Sequence, residues 1–528
     1  MTYIFAAAIL IFALINVWVE FRRDVMMMQQ NSYRIDRYRR WLTVSGDTTS
    51  YMRLIAGAVV LASFTITGTT TIALTIIGFD AIVNSVNLAR RKYKKPLVVT
   101  PRVRRILAMM CLLAVVTLVA AGLLSTPEYR PLTVTAVALA IYAFSHVYTI
   151  AAVWLLQPVE NHINAGYYHD AEKILRSMTD LKVIGITGSY GKTSTKHYLY
   201  RILQEQFDVV MTPGSFNTTL GVIRTIREYM KPYNQIFICE MGAKQPGDIK
   251  EICDLVHPQI GIITAVGEQH LESFKTIENV QHTKFELVDS LPANGLAVVN
   301  DDFEYVANRK VNNVETIRYA CDNTRCASYI AKDITYSAEG TEFTLSCPGS
   351  DDIRFRTHLV GACNVSNLMA CIIVALRLGM DVEKIKYAVE HIEQVEHRLN
   401  MKRTPGGVTI IDDAFNSNPT GSAMALDVLA SMKGGRRIVL TPGMIELGDR
   451  QAELNKRFGE KIATSADIAI IVGEYNRDAI VEGIEAVEKS DIKAHIVDSF
   501  DEARQLLSTI LQNGDTVLYE NDLPDTFK

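Results

Sequence analysis

The sequence has no cysteine pattern typical of a metal centre or of a disulfide-bonded secreted domain. Its eight cysteines are scattered through 528 residues. The one close pair, Cys321 and Cys326, has no second pair or histidine cluster at zinc-binding spacing. Several other cysteines stand in apolar stretches, where cysteine behaves as a small hydrophobic residue. This pattern favours a reduced compartment and argues against a structural metal.

Most of the chain also has no excess of positive charge. Residues 1–156 carry 16 Arg and Lys against 6 Asp and Glu, whereas the rest, with 38 basic and 52 acidic residues, has a net charge of −14. The positive charges flank apolar stretches, and there is no separate basic domain of the kind that binds nucleic acid. The asymmetry predicts a basic membrane part joined to an acidic soluble part.

Two further absences limit the choice of function. No LSGGQ-type signature helix and no strand ending in Asp-Glu accompany the nucleotide motif described below, and both belong to ATP-driven transporters. A component of ATP-driven membrane transport is therefore a disfavoured alternative. No small-residue cleavage site follows the apolar residues 3–19, and the basic pair Arg22 and Arg23 lies after them, so a retained span is predicted rather than a signal peptide.

Apolar stretches predict an α-helical membrane region over residues 1–157. Residues 3–19, 104–124 and 132–156 each approach the thickness of one bilayer. The stretch 51–88 is too long for one comfortable helix and is interrupted by the GTTT sequence at 68–71. The loops before and after it are rich in Arg and Lys, and such loops remain in the cytoplasm.

A helical hairpin that turns near Gly68 keeps both of these basic loops inside. This arrangement predicts five spans, an external amino terminus and cytoplasmic catalytic domains in the inner membrane. A single tilted span would give four spans instead. Residues 34–42 (RIDRYRRWL) are predicted to form an interfacial helix on anionic headgroups.

The soluble part alternates short β-branched runs with helical stretches, which predicts an α/β fold with a mostly parallel sheet. After a linker over 158–181, we expect a central domain over 182–398 and a Rossmann-like carboxyl-terminal domain over 399–528. Residues 315–360 alternate in polarity and predict a small antiparallel sheet. The predicted parallel strands are VIGIT, IFICE, IGIITAV, LAVVN, VTIID, RIVLTPG, IAIIVG, AHIVD and DTVLYE.

The main chemical motif is Thr187-Gly-Ser-Tyr-Gly-Lys-Thr-Ser194, which directly follows an apolar strand and precedes a helical stretch. Its glycines allow backbone amides to surround phosphate oxygens at a helix amino terminus. Lys192 can neutralise the β- and γ-phosphates of ATP, and the Thr193 hydroxyl can ligate Mg²⁺. A strict Walker A motif would need glycine at position 186, where the chain has isoleucine, so the loop is a variant P-loop.

The form T-G-x-x-G-K-T resembles that of Mur ligases and folylpolyglutamate synthases, and further segments resemble the Mur ligase motifs in the same order. The branch with the greatest resemblance is the MurF type, which adds D-alanyl-D-alanine. The resemblance covers about 182–528 and rests on these segments after the P-loop: SFNTTLGV (215–222), Glu240-Met-Gly, Gly267-Glu-Gln-His270-Leu-Glu, HTKFEL with Lys284, Gly361-Ala-Cys-Asn364-Val-Ser-Asn367, His397-Arg398, Asp412-Asp413-Ala-Phe-Asn416-Ser-Asn418-Pro and Gly443-Met-Ile-Glu446-Leu-Gly448.

The resemblance implies a P-loop Mur ligase central domain and a set of site residues. The implied catalytic residues are Lys192, Glu240, His270 and Lys284. Metal ligation is implied for Thr193, Glu240, His270 and Lys284, the last after carbamylation, because a carbamate is a carboxylate-like ligand. Nucleotide binding is implied for Gly188, Ser189, Gly191, Lys192, Thr193, Ser194, Asn364, Asn367, Arg398, Asp413 and Asn416.

Five of these residues also have an ordinary structural interpretation. Glu240 could be a solvated acid at a strand end, and His270 a surface histidine. Lys284 could be one of many lysines on a helix face. Asn364 and Asn367 could merely cap a helix.

The predicted function is an ATP- and Mg²⁺-dependent, ADP-forming acid–amino-acid ligase in cell-wall or envelope polymer synthesis. It would activate a carboxylate as an acyl phosphate before a small-molecule amine attacks. An amino-acid polymer ligase of the polyglutamate type is an alternative.

Three departures from the family leave both substrates open. Membrane spans take the place of the domain that holds a uridine-diphosphate sugar, and the end of the chain, ENDLPDTFK, lacks the usual Lys-Gly-Ser type sequence. The arginine motif of the diaminopimelate-adding branch is also missing. A lipid-linked acceptor and an envelope-synthesis protein partner are therefore further expectations.

Overall fold

The structure, a computed structural model, describes residues 2–45, 51–62, 70–90, 95–321, 327–337, 340–415, 417–488 and 491–522. The chain divides into two units, Met1–Ala165 and Gly166–Leu523. A long helix leads from the first unit into the second.

Helices make up most of the described residues of the first unit. Their apolar residues favour helix, and prolines and caps fix where some of them begin. For example, Thr100 Oγ1 accepts a hydrogen bond from Val103 N at 3.2 Å, and Pro101 occupies the first turn. The helices are α1 (Thr2–Gln30), α2 (Ile35–Val44), α3 (Tyr51–Ala62), α4 (Thr70–Arg90), α5 (Pro101–Leu124), α6 (Arg130–Ala143) and α7 (Ser145–Arg176).

The described residues support fewer membrane spans than the four or five predicted. By length and composition, α5 is the one described helix that could cross a bilayer by itself. Helices α6 and α7 form a pair bent by 76°, which would count as one broken span or a re-entrant segment. The first unit is thus helical as predicted, with one candidate span, or two if the bent pair is counted.

Several predicted helix boundaries differ from the structure. The stretch 132–156 is two helices rather than one, because the helix breaks at Phe144; there Ser145 Oγ donates a hydrogen bond to buried Asp24 at 2.6 Å. Helix α1 continues beyond residue 19 to Gln30. The predicted linker 158–181 is helical as far as Arg176.

Two other predictions for this unit have different outcomes. The interfacial segment 34–42 corresponds to α2, so its helical structure is confirmed. Two helices occupy 51–88, as the hairpin requires, but the predicted turn at Gly68 lies outside the described residues.

The second unit begins with a nine-stranded sheet. Its strands are β1 (Lys182–Thr187), β2 (Val209–Met211), β3 (Ile236–Glu240), β4 (Ile260–Ile263), β5 (Leu296–Asn300), β6 (Glu315–Ala320), β7 (Tyr329–Ser337), β8 (Gly340–Ser346) and β9 (Ile353–Thr357). The order is β2-β3-β1-β4-β5-β6-β7-β8-β9, with parallel pairs as far as β7 and antiparallel pairs from β7 to β9. The predicted antiparallel strands therefore extend the parallel sheet and do not form a separate one.

Helices cover both faces of this sheet, as the buried runs in its strands require. Gly185 in β1 permits one close approach, because a Cβ there would lie 2.6 Å from Leu287 Cδ1 on α12. The helices are α8 (Lys192–Leu203), α9 (Thr219–Glu228), α10 (Asp248–Val256), α11 (Leu271–Phe274), α12 (Ile277–Asp289), α13 (Glu304–Ala307), α14 (Ala362–Arg377) and α15 (Val382–Glu390).

A second sheet of six strands follows, in the order β10-β11-β15-β12-β13-β14. It is parallel except where β10 pairs with β11. Its strands are β10 (Asn400–Arg403), β11 (Thr409–Asp413), β12 (Arg437–Thr441), β13 (Ile468–Val472), β14 (Lys493–Val497) and β15 (Thr516–Glu520). The helices are α16 (Pro419–Ser431), α17 (Gln451–Ser465), preceded by a 3-10 turn at Gly448–Arg450, α18 (Arg477–Glu485) and α19 (Phe500–Ile510).

The nine predicted parallel strands are confirmed, and β2, β6 and β10 are the strands that the sequence did not indicate; β6 lies in the stretch predicted to be antiparallel but pairs parallel with β5. In parallel α/β sheets, side chains at the carboxyl ends of the strands face ligands. The segments with chemical motifs follow β1, β3, β4, β11 and β12, so they collect at these edges.

Candidate functional site

The loop between β1 and α8 is a phosphate-binding loop in its backbone geometry. Gly188 has φ +151, and a Cβ there would lie 2.1 Å from Thr264 Oγ1, so no other residue fits. Gly191 has φ +81 and leads directly into α8. The loop therefore presents backbone amides at a helix amino terminus, where anions bind.

Ser189 connects this loop by hydrogen bonds to the segment after β4. Its backbone N donates to Ala265 O at 2.7 Å, its hydroxyl donates to Gly267 O at 3.0 Å, and Gly267 N donates to the same hydroxyl at 3.0 Å. Ser194, also predicted to bind nucleotide, is buried in the first turn of α8. The loop is thus held in shape by the protein itself.

Lys192 folds back over the loop. Its Nζ donates to Gly188 O at 2.6 Å and to Ser189 O at 3.0 Å. Burial lowers the pKa of Lys192 to about 8, although the nearby Glu240 carboxylate opposes that shift. An ammonium that is hydrogen bonded to carbonyl groups in a partly buried position is suited to an anionic partner such as phosphate.

Glu240, at the end of β3, lies next to this lysine. Its Oε1 accepts from Thr193 Oγ1 at 3.2 Å and from Asn217 Nδ2 at 3.1 Å. Its Oε2 lies 2.9 Å from Nζ of the fully buried Lys196. Burial by itself would raise the pKa of Glu240, but the charges of Lys196 and Lys192 hold it below its usual value. The carboxylate is therefore ionised and fixed in position.

Lys196 and Asn217 are site residues to which sequence reasoning gave no role. Lys196 stands four residues after Lys192 on the same helix, a spacing that puts both on one face. That spacing was the signal available in the sequence. The Nζ of Lys196 also donates to Gly214 O at 2.6 Å, which ties the loop after β2 to Glu240.

A second cluster contains His270 and Glu446, whose side chains are hydrogen bonded through Nδ1 and Oε2. His270 comes from the middle part of the chain and Glu446 from the loop after β12. Both have left-handed backbone conformations, with φ +53 and +61, which are uncommon for residues other than glycine. Burial lowers the pKa of His270 although Glu446 opposes it. Glu446 had been noted only as part of a motif.

Lys284, on α12, is the third member of this cluster. It is 2% exposed, and its Nζ lies 5.9 Å from the centre of the Phe274 ring. Burial, followed by the charge of Lys192, lowers its pKa to about 7. The charge of Lys284 also makes a small contribution to the lowered pKa of His270. A buried position excludes the interpretation of Lys284 as a solvated lysine on a helix face.

Contacts around this cluster join the two sheets of the second unit. Glu272 N donates to Glu446 O at 3.2 Å, and Arg450 forms an ion pair with Glu268. The loop after β12 therefore contacts the segment after β4.

Asn364 and Asn367 occupy the first turns of α14. Asn364 Oδ1 accepts from Tyr198 OH at 2.8 Å, and its Nδ2 donates to Val360 O at 2.8 Å. Asn367 Oδ1 accepts from Thr195 Oγ1 at 3.2 Å. Both amides connect α14 to the surrounding structure, and both line the cavity described next.

A cavity of about 90 Å³ lies between the P-loop and the ends of β11 and β15. Arg398 lines it and stacks over the Phe415 ring, with Cζ 4.4 Å from the ring centre. Asp413 Oδ1 accepts from Leu399 N at 3.2 Å, and burial raises the pKa of Asp413 to about 6 although the Arg398 charge opposes it. Of the predicted nucleotide-binding residues, Gly191, Ser194, Asn364, Asn367, Arg398 and Asp413 line this cavity.

One predicted nucleotide-binding residue, Asn416, lies outside the described residues. Within the described ranges, no group of three or more His, Cys, Asp and Glu side chains is arranged to hold a metal. A larger cleft of about 820 Å³ opens on the other side of Thr193, towards Arg201, Gly214 and Arg398.

Comparison with known proteins agrees with this geometry. Residues 186–375 match the Mur ligase middle domain, and residues 397–519 match the Mur ligase glutamate ligase domain. The chain belongs to the Mur ligase family and is an ATP-dependent, ADP-forming acid–amino-acid ligase that acts in peptidoglycan synthesis.

Within the family, the chain is similar to MurF proteins. It is 32% identical over 365 residues to the UDP-N-acetylmuramoyl-tripeptide--D-alanyl-D-alanine ligase of Mycobacterium bovis, a match that covers 64% of this chain and 70% of the relative. It is 29% identical over 344 residues to the enzyme of the same name from Bacillus subtilis, covering 64% and 72%.

Solved structures give the same result. MurF from Acinetobacter baumannii aligns with a TM-score of 0.61 at 25% identity, covering 68% of this chain and 77% of that one. MurF from Thermotoga maritima in complex with ADP aligns with a TM-score of 0.60 at 26% identity, covering 68% and 80%. The helical amino-terminal region is extra to the MurF core.

Proposed function

We propose that the chain is a membrane-anchored, MurF-like ligase that makes an amide bond through an acyl phosphate, with ATP and Mg²⁺ at the P-loop. The observation that carries the proposal is the contact between the Thr193 hydroxyl and the Glu240 carboxylate beside Lys192. These are hard oxygen donors, the kind that Mg²⁺ prefers, and they leave room for phosphate oxygens and water as the remaining ligands.

The chemistry requires a carboxylate to accept the γ-phosphoryl group of ATP, although both partners are anions. Lys192 offsets this repulsion at the phosphoryl oxygens, and Mg²⁺, which Thr193 and Glu240 would hold, would supply further positive charge. The acceptor oxygen bonds to phosphorus as the bond to ADP breaks. The amine nitrogen then attacks the acyl carbon, its proton is released, and inorganic phosphate leaves with the electrons of the C–O bond.

Lys284 is proposed to be carbamylated and to act with His270 as a second metal site near the acceptor carboxylate. A pKa of about 7 leaves much of the buried amine neutral at physiological pH. A neutral amine can add to carbon dioxide, which converts the lysine into a carboxylate-like oxygen ligand.

The names of the relatives supply the substrate proposal. Those enzymes are UDP-N-acetylmuramoyl-tripeptide--D-alanyl-D-alanine ligases, so we propose a muramoyl peptide as the carboxylate and D-alanyl-D-alanine as the amine. One observation and one physical argument favour a membrane-held form of the muramoyl peptide. A helical region with at least one candidate span precedes the ligase, and confinement of enzyme and acceptor to one surface raises their effective concentration.

The proposal is tested with the full-length protein in lipid nanodiscs, supplied with Mg-ATP and D-alanyl-D-alanine. Soluble UDP-linked and lipid-linked muramoyl peptides are compared as acceptors, and the amide product is measured by mass spectrometry with ADP and phosphate. Lipid-linked acceptor should give the higher kcat/KM. Equal or better use of the UDP-linked acceptor would show that the helical region is only an anchor, and absence of product with either would contradict the ligase proposal.

The arrangement in the membrane is tested separately by cysteine labelling in intact cells. We expect Gly68→Cys to react with an impermeant reagent added from outside and Asp36→Cys to be protected, because basic loops remain in the cytoplasm. Labelling of Asp36→Cys from outside would contradict the proposed orientation of the ligase.

A further inference from the structure

The first two turns of α5, the described helix that could cross a bilayer by itself, contain three arginines and no acidic residue. Thr100 caps the helix, and Arg102, Arg104 and Arg105 follow the cap. The helix dipole adds positive potential at this end. If α5 spans the membrane, these side chains lie at the level of the lipid headgroups, where phosphate groups are concentrated.

Two of these arginines share one carboxylate, that of Glu160 on α7. Arg105 donates two hydrogen bonds to it, from Nε to Oε1 at 2.7 Å and from Nη2 to Oε2 at 2.9 Å. Arg102 Nε lies 3.6 Å from Oε2, which is an ion-pair distance but too long for a hydrogen bond. The carboxylate carries one negative charge and the two guanidinium groups carry two positive charges. The three side chains therefore have one positive charge in excess.

Arg102 is the member of this group that lacks a hydrogen bond. Its Nε is buried and finds no hydrogen-bond acceptor within the part of the chain that the structure describes. The Tyr33 ring covers one face of the guanidinium, with Cζ 4.1 Å from the ring centre. The Arg102 side chain is still 23% exposed, so a ligand can reach it from outside. A buried charged donor without an acceptor is unfavourable, which indicates that an anion supplies the missing acceptor.

The surroundings of Arg102 are held in place by hydrogen bonds. Gln29 Nε2 donates to Tyr33 OH at 3.1 Å and to Val98 O at 3.0 Å, and Val98 N donates to Gln29 Oε1 at 3.0 Å. These bonds connect the turn after α1 to the segment that leads into α5. A guanidinium that is already stacked and positioned loses little conformational freedom when it binds an anion.

The charge and the position of this group indicate the kind of anion. One excess positive charge fits a phosphodiester, which carries one negative charge, and guanidinium groups bind phosphate oxygens with parallel hydrogen bonds. A phosphodiester at the end of a membrane span is the phosphate of a phospholipid. We propose that Arg102, together with Arg105, binds the headgroup phosphate of an anionic phospholipid. This inference rests on the membrane anchoring in the proposed function and is independent of the ligase chemistry.

The test is native mass spectrometry of the full-length protein in detergent, with phosphatidylglycerol and phosphatidylcholine supplied in equal amounts. Wild type should retain phosphatidylglycerol in preference, because the choline group of the other lipid brings a positive charge towards the arginines. Arg102→Gln should bind phosphatidylglycerol about tenfold more weakly, the effect of losing one charge-assisted hydrogen bond. Arg104→Gln, at an exposed position in the same turn, should behave as wild type. Glu160→Gln, which removes the competing carboxylate and keeps the side-chain shape, should bind this lipid more tightly.

The outcomes separate this inference from the proposed function. Extraction of wild type from its native membrane by alkaline carbonate would contradict the anchoring, whereas absence of a lipid preference in protein that resists extraction would overturn the lipid site alone. Equal weakening by Arg102→Gln and Arg104→Gln would show attraction by general surface charge and overturn the site. Displacement of the lipid by inorganic phosphate would assign the site to free phosphate and also overturn it. If Arg102→Gln does not fold, Glu160→Gln decides, because unchanged or weaker lipid binding by that variant contradicts the proposal.

Discussion

The two clusters at the edge of the first sheet are built in different ways. The Lys192–Glu240 cluster takes all its contacts from the middle domain, with Thr193, Asn217 and Lys196 fixing the carboxylate. The His270–Lys284 cluster instead receives Glu446 from the carboxyl-terminal domain. The proposed phosphate-binding cluster therefore lies within one domain, whereas the second cluster takes side chains from two domains.

The largest expected effect is that of Lys192→Ala. Loss of the Lys192 charge should remove stabilisation of the phosphoryl oxygens, and about 4 kcal/mol corresponds to a loss of about a thousandfold in kcat. ADP release with the muramoyl acceptor measures it. Lys433→Ala, at an exposed position, should retain full activity, and substantial turnover by Lys192→Ala would contradict the role of the loop.

Lys284→Ala should lose most of its activity and recover part of it with added acetate or formate, which can replace a carbamate as an oxygen ligand. Initial ADP release with and without these salts measures the rescue. Glu286→Gln, with a change two residues away on the same helix, should show no rescue. If these salts do not restore activity and nucleotide binding is intact, Lys284 has a purely structural role.

The same lysine predicts a dependence on pH. Because its pKa is about 7, the amine is mostly protonated at pH 6 and mostly neutral at pH 8. Addition of the neutral amine to carbon dioxide gives a carbamate and releases a proton, so the equilibrium should shift towards the carbamate as the pH rises. Activity of enzyme stripped of carbon dioxide should recover on addition of bicarbonate at pH 8 and recover poorly at pH 6. Equal recovery at both values would contradict the proposed modification.

Glu446→Gln should produce a smaller loss, about tenfold to a hundredfold, which is typical when a partner of a metal-binding histidine is removed. Because the cluster with Lys192 does not use Glu446, the dissociation constant for ADP should stay unchanged while a Mn²⁺ titration reports weaker binding of the second ion. Equal weakening of ADP binding would remove the distinction between the two clusters.

Arg450→Met should have the smallest effect. Its ion pair with Glu268 is partly exposed, and such pairs contribute about 0–1 kcal/mol. We expect at most a few-fold decrease in kcat at low salt, disappearing at high salt because the contact is screened. A large decrease, independent of salt, would mean that this contact controls the meeting of the two domains.

The sequence predicted the parts of the fold that depend on local pattern. Short β-branched runs identified the buried parallel strands, and the P-loop followed from glycines between a strand and a helix. The three-residue strand β2 has too short a pattern to be recognised. The break at Phe144 could not be predicted either, because its neighbour Ser145 bonds to Asp24, 121 residues away.

The same limit applies to the site. Lys192, Glu240, His270 and Lys284 were selected by motif, whereas the role of Lys196 depends on contacts between elements distant in the chain. Lys196 reaches Glu240 across 44 positions and Gly214 across 18.

The most direct test of the acyl-phosphate mechanism is isotope transfer from the acceptor. The muramoyl peptide is labelled with ¹⁸O in its terminal carboxylate and incubated with the full-length protein, Mg-ATP and D-alanyl-D-alanine. If the carboxylate oxygen attacks the γ-phosphorus, one ¹⁸O atom must appear in each phosphate released with the amide. Formation of the amide with unlabelled phosphate would contradict the proposed mechanism.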